Sequence, residues 1–392
     1  MKMEKQSNLR EQLTRAKDLS ELMIDMAYGG LYSNSKELAE EVLELSEDLD
    51  EMINDMRIRC VMSARSPQDA RDIATVLHLL SSMDLVSKGA EGIARIVEHK
   101  LELPPSFVNE LSNAFEILNK VVVKEEYFLS GKKLEEVSLP KDFGVRVIAI
   151  RRIGKWLCHV DGETVLLEDD VVLFAGSREH IDELRVALEL PEIVIAQFEH
   201  EQDGVQKAVR LLIDMKDASE LSVGLAYSSF LFNDKNLAAV VDSIDEKMSR
   251  KRERVETWVL DSAFESQSPL HLRGLLHLAE ASETICEACA DMVSIVLEDE
   301  IIHPVIAQAM EDTNEVMVKV EVKDGAEAVG SFIDEHHSSF VAMTHIRNGK
   351  YLYDLSKPRK IEVGDVVIAR GPIEAREAFE YWLNAGHEDE ED

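Results

Sequence analysis

The chain has 392 residues, 45% of them hydrophobic, so it exceeds one compact core and has material for about two to four domains. Its 77 acidic residues outnumber 43 Lys and Arg, and a net charge of −34 argues against a nucleic-acid groove or an anionic-membrane clamp, which need basic patches. No apolar run approaches the roughly 20 residues of a membrane-spanning helix, and the charged opening MKMEKQSNLREQ lacks the apolar stretch of a secretory signal, so a cytoplasmic protein without direct membrane insertion is expected.

In chain order, the first block (8–103) has a helical period: Leu38, Val42, Leu45 and Leu49 form one apolar stripe, as on a helix packed in a bundle. The second block (104–190) changes period. It predicts a strand near Val121–Val123, a short helix over Leu134–Val137, a strand through Val145–Ala149, a turn at Gly154-Lys155, a closing strand Val171–Gly176 and a helix from Glu179 to Leu190. Both blocks then repeat. Residues 18–47 lie over 217–246 at a constant offset of 199, matching at 12 of 30 positions, which makes 198–303 a second helical bundle. Residues 143–176 lie over 338–371 at an offset of 195, with Arg152 on Arg347 and Asp170 on Asp365, which makes 304–386 a second α/β module. This copy predicts a strand over Glu315–Val322, a short helix over Ala326–Phe332 and a closing helix from Ile373 to Trp382. Prolines at 104, 105, 191 and 304 mark the joints, since proline cannot continue a helix, and 387–392 is an acidic tail.

Four cysteines do not make a disulfide framework; Cys286 and Cys289 sit in a helical run and read as small packing residues. No Ser/His/Asp or Cys/His spacing suggests nucleophilic catalysis, so no catalytic residue and no enzyme activity is expected. The repeated Lys17-Asp18 and Lys216-Asp217 pairs are expected to be structural, as helix-start or inter-helix pairing residues. Carboxylates at i, i+4 share a helix face. Asp242 with Glu246 and Glu283 with Glu287 do so in the second bundle, whereas the first copy has Leu43 with Glu47 and Asp84 with Lys88.

The strand–turn runs VIAIRRIGKW and MTHIRNGKY, with the closing VGDVVIARG, resemble the TrkA-C domain of cytosolic potassium-channel and transporter regulators. The helical blocks, with KDxSEL and LAxxV, resemble PhoU bundles. The alternation is similar to a prokaryotic, largely archaeal group that combines the two. The resemblance implies an α+β multidomain fold of two PhoU-like helical bundles alternating with two TrkA-C-like α/β modules. It implies a cytosolic regulatory subunit of a membrane cation transporter or channel, most simply for potassium, working as a homodimer. Alternatives are a regulator of a divalent-cation permease and a PhoU-like metal-binding or phosphate-signalling adaptor. It further implies a cyclic di-AMP pocket at Ile148, Ile150, Arg151 and Arg152 in the first module and Ile346, Arg347 and Asn348 in the second. By the same resemblance, a divalent or iron-type metal ion belongs to Asp242, Glu246, Glu283 and Glu287. With no GxGxxG after a strand, NAD or ATP binding is not implied. Asp169-Asp170 stands where the second copy has Gly364-Asp365, which questions whether the first copy keeps that turn.

Overall fold

The computed structural model describes residues 8–111, 117–157, 160–191, 203–265, 269–298, 300, 302–311, 315–332, 340–348, 350–352 and 360–384. The elements follow the duplication. The first helical half is α1 (Leu9–Ser33), α2 (Lys36–Ser63), α3 (Pro67–Glu98) and the short α4 (Pro105–Leu111). The first α/β module is β1 (Ile117–Val122), α5 (Leu134–Val137), α6 (Leu139–Phe143), β2 (Arg146–Arg152), β3 (Lys155–Leu157), β4 (Val171–Gly176) and α7 (Arg178–Ala187). The second half is α8 (Asp203–Leu231), α9 (Lys235–Glu265), α10 (Arg273–Leu297) and α11 (Pro304–Glu311). The second module is β5 (Glu315–Glu321), β6 (Val341–Arg347), β7 (Lys350–Leu352), β8 (Val366–Pro372) and α12 (Arg376–Asn384).

The helix ends are written into the sequence. Asn8 and Glu11 form a reciprocal capping box at the start of α1, and Ser66 caps α3 with Pro67 in its first turn. Asn34 and Asn233, equivalent under the 199 offset, both take the left-handed conformation that stops α1 and α8, at φ 47° each.

The chain divides into two compact units, Met1–Ser112 with Ile195–Thr313, and Asn113–Val194 with Asn314–Asp392. The first unit joins both helical halves in one body. α2 packs on α1 and α3, α9 packs on α8 and α10, and the equivalent helices α3 and α10 pack on each other. Their crossing is close: a Cβ on Gly89 would stand 2.4 Å from Ile285 Cγ1 and 3.1 Å from the Ala281 carbonyl oxygen. The short helices exchange partners, α4 lying on α8 and α11 on α1, where the Thr14 hydroxyl donates to the Ala309 carbonyl at 3.1 Å. This corrects the expected boundaries at 104 and 304. Pro105 and Pro304 begin the short helices α4 and α11, which pack with the helical unit, not with the α/β modules that follow them.

The second unit holds both α/β modules, each with its own core. Each is a four-stranded antiparallel sheet, ordered β1-β4-β2-β3 and β5-β8-β6-β7. The closing strand is central, which explains its unbroken apolar run: every residue of β4 is buried. Both sheets carry a bulge at the same place, between Val147 and Ala149 and between Ala342 and Thr344. Asp169 takes φ 66° where Gly364 takes φ 84°, and the Asp169 and Gly364 amides donate to Val123 and Val322 at 2.9 Å, so the first copy keeps the turn. One expected helix is absent: Ala326–Phe332 is a series of turns, bracketed by Gly325 and Gly330 at φ 80° and 89°. It matches the turn at 127–131, for Gly131 and Gly330 both donate to the strand-entry segment, at Leu166 and Ile361. The counterpart of α5 falls in 333–339, outside the described residues.

Candidate functional site

The middle of the helical unit is a polar network repeated about the internal symmetry. Tyr227 bonds Ser20 at 2.7 Å, and its equivalent Tyr28 bonds Ser219 at 2.8 Å. Lys17 pairs with Glu21 at 2.7 Å and lies over the Tyr227 ring; Lys216 pairs with Glu220 at 2.6 Å and lies over the Tyr28 ring. The Lys-Asp pairs are thus structural, as expected, but they sit in mid-helix. Burial pushes the Glu220 carboxyl up to about 7, with the nearby Asp217 and Asp25 charges adding and Lys216 opposing. Cys286 and Cys289 are buried packing residues, and burial drives the Cys286 thiol up to about 12.

The strand-end positions expected to hold a nucleotide are mostly engaged within their own modules. Arg152 donates Nε and Nη2 to the two oxygens of buried Asp170, at 2.8 and 2.6 Å, and Nη2 also to the Val165 carbonyl. Asp170 accepts the Leu167 amide as well. The second module repeats this with Arg347, Asp365, the Lys360 carbonyl and the Glu362 amide, and adds an Arg347 Nη1–Glu362 pair at 2.6 Å. Such bidentate forks stitch the end of β2 or β6 to the turn that feeds the central strand. The open arginine forks expected for a phosphate are therefore closed on carboxylates. Ile150 belongs to the module core and Ile148 lies at the bulge, both buried. Arg151, Ile346 and Asn348 are half-buried or exposed. Asn348 takes φ 52° in its hairpin, as Ile153 does at φ 50° in the first.

The acidic candidates do share one neighbourhood. Asp242, Glu246, Glu283 and Glu287 all act on Asp245 of α9, whose carboxyl is raised by burial and then by Glu287, Glu283, Asp242 and Glu246. Asp245 lies at i+3 from Asp242, outside the i, i+4 spacing but on the same helix face. Arg252 pairs with Glu283 and with Glu256. Among the described residues no group of three or more His, Cys, Asp or Glu is arranged to hold a metal ion. The first half replaces the acids with an internal cation. Lys88, at the position of Glu287, donates to Asp50 at 2.8 Å, Glu91 at 3.1 Å and Ser46 at 3.4 Å, and Ser46 stands at the position of Asp245.

With this geometry in view, residues 13–97 match the PhoU domain and residues 120–188 match the TrkA-C domain. The chain combines PhoU and TrkA-C domains. The second copy of each follows from the repeat and from the matching elements of the structure. Among solved structures, PhoU from Pseudomonas aeruginosa is similar at 13% identity over 74% of this chain and 93% of that chain, with a TM-score of 0.41. The phosphate transport system regulatory protein PhoU from Streptococcus pneumoniae is similar at 11% identity over 75% and 95%, with a TM-score of 0.40. The GsuK channel bound to NAD is similar at 10% identity over 79% and 65%, with a TM-score of 0.20. Likeness this remote says nothing about function. No curated protein matches the chain. The PhoU and TrkA-C domains support a regulatory role, and among the described residues no helix is long and apolar enough to cross a membrane.

Proposed function

We propose that this protein is a non-enzymatic cytosolic regulator of a membrane cation transporter or channel, with potassium as the transported ion and the paired TrkA-C modules as the ligand sensor. The observation that carries the reading is the presence of PhoU and TrkA-C domains in one chain. Charge supports it: cytoplasmic loops of membrane proteins are rich in Lys and Arg, and a net charge of −34 complements them. Both α/β modules fall in one compact unit, which suits a sensor paired within a single chain. The effector, cyclic di-AMP, acts by binding one arrangement of the modules better than another, and the regulator self-associates as a homodimer. Arg152 and Arg347 are closed on carboxylates, so this reading seats the effector against the other implied positions, Ile346 and Asn348 on β6 and its turn and Arg151 on β2.

Two measurements test this. Calorimetric titration of the full chain with cyclic di-AMP is expected to give binding that Arg151→Ala with Asn348→Ala abolishes. Disruption of the encoding gene is expected to change cellular potassium uptake. Absence of heat sinks the sensor, and unchanged uptake sinks the transport role.

One second reading is a divalent-cation site on α9 and α10, where Arg252 already pairs with Glu283 and, among the described residues, no three acids are arranged around an ion. Asp245 has four carboxylates acting on it and no counterpart of Lys88. Titration with manganese separates the readings: a heat lost in Asp245→Asn supports the metal adaptor, and no heat removes it.

A further inference from the structure

α2 and α9 hold equivalent places in the two halves, so their surfaces compare residue by residue at the offset of 199. On α2, Asp48, Glu51 and Asp55 follow at i, i+3 and i+7 and share one stripe, Asp48 and Glu51 exposed and Asp55 half-buried. The equivalent residues on α9 are Lys247, Arg250 and Arg254, all exposed. Three acids give way to three bases at the same three places, in a chain that is acidic everywhere else by a wide margin. Among the described residues Asp48, Glu51 and Arg250 form no ion pair, while Asp55 pairs with Arg59 at 2.6 Å. Arg254 lies over the Trp258 ring at 4.9 Å, extending the basic stripe with an aromatic. Large apolar side chains flank both stripes in solvent: Ile58, Val61 and Met62 on α2, and Leu260 on α9.

We propose that the acidic stripe of α2 on one copy of this chain docks on the basic stripe of α9 on a second copy. The two stripes have the same pitch because they descend from one helix. When the helices run side by side in parallel, Asp48 meets Lys247, Glu51 meets Arg250 and Asp55 meets Arg254. Ile58 and Met62 then fall beside the Trp258 end. A polyanion or an anionic membrane also suits a basic, aromatic stripe, and the net charge of −34 repels these and a second copy alike, so the choice of occupant rests on the stripes themselves. A second copy brings acids at matched spacing. Exposed pairs are individually weak and are screened by salt, so the contact holds at low ionic strength and loosens as salt rises. Because the two faces differ, one such contact alone is heterologous: made reciprocally, α2 on α9 and α9 on α2, it closes the homodimer of the proposed function, and otherwise it builds a ring or a longer array. It draws on the self-association in the proposed function but not on cation transport.

Sedimentation velocity of the full chain tests it, at about 0.02 M and about 0.5 M salt, where the screening length differs several-fold. Concentration-dependent oligomers are expected in low salt and their loss in high salt. Two triple variants sharpen the result: Lys247→Glu, Arg250→Glu, Arg254→Glu leaves both stripes acidic, and Asp48→Lys, Glu51→Lys, Asp55→Lys leaves both basic. Each alone is expected to associate at least ~10²-fold more weakly, and a mixture of the two to associate again. Unchanged helicity shows that both fold. A monomeric parent chain, undiminished association of either variant, or a mixture that stays apart overturns the proposal. So does binding of the parent, lost in the acidic variant, to vesicles containing phosphatidylserine, which makes lipid the occupant. None of these outcomes depends on cyclic di-AMP or on uptake.

Discussion

Asp365→Asn measures what the arginine–carboxylate brace contributes. The Asp365 side chain is 1% exposed and its oxygens take two guanidinium N–H groups at 2.8 Å and the Glu362 amide at 2.9 Å. Asparagine keeps the shape, removes the charge, and turns an NH2 group toward a donor. Breaking a buried pair costs about 3–5 kcal/mol, and Arg347, being 25% exposed, recovers part of that from water. A net loss of about 3 kcal/mol lowers the melting temperature of so small a module by more than about 10 °C. Arg347→Met is expected to cost about as much, and the double variant little more than either single, because the same interaction is lost each time. The pH dependence follows. Burial pushes the Asp365 carboxyl up, but the Arg347 fork and the Glu362 amide outweigh it and hold it below the usual carboxylate range. A depressed folded value makes the contribution complete above the unfolded value of about 3.9 and lost as pH falls through the folded one. Calorimetric melts of the parent and the three variants, from neutral pH downward, read all of this. Strictly additive losses, or an acid limb as steep in Asp365→Asn as in the parent, refute the brace.

Three further outcomes are expected. Glu220, raised from 4.5 to about 7, binds a proton more tightly when folded, so helical-unit stability falls as pH rises across that window, by on the order of 1–3 kcal/mol; Glu220→Gln flattens the slope in denaturant titrations. Ile153 is 97% exposed at φ 50°, where its counterpart is Asn348, so Ile153→Asn relieves a β-branched residue in a left-handed turn and stabilises by about 1 kcal/mol, seen as a higher melting temperature. Gly89→Ala forces apart the α3–α10 crossing and costs about 1–3 kcal/mol, whereas Gly92→Ala, with 3.2 Å to the Ala281 Cβ, costs less; urea unfolding ranks the two.

The repeat was the strongest signal in the sequence, and it located the helical halves and the α/β modules because equivalent residues sit at fixed offsets. What it could not show was who packs with whom. The exchange of α4 and α11 between halves depends on tertiary contacts that leave no period in the chain, so prolines that start helices resembled domain joints. At the strand ends, residue type was legible but engagement was not: Arg152 and Asp170 are separated by a hairpin and a turn, and only the folded sheet brings them together. A net charge of −34 also concealed the local basic run Lys247–Arg254, since a total carries no positions. Asp245 is legible in the sequence at i+3 from Asp242, the other spacing that shares a helix face.

The reciprocal bonds Ser20–Tyr227 and Tyr28–Ser219, with α4 on α8 and α11 on α1, are what a symmetric homodimer of half-length chains makes across its two-fold axis. In such a dimer every substitution appears twice, so a residue that helps one side and harms the other has no way to spread. Tandem fusion lifts that restriction. Lys88 where the second half has Glu287, and Asp48 where it has Lys247, are changes that a single gene encoding identical subunits cannot make on one side alone.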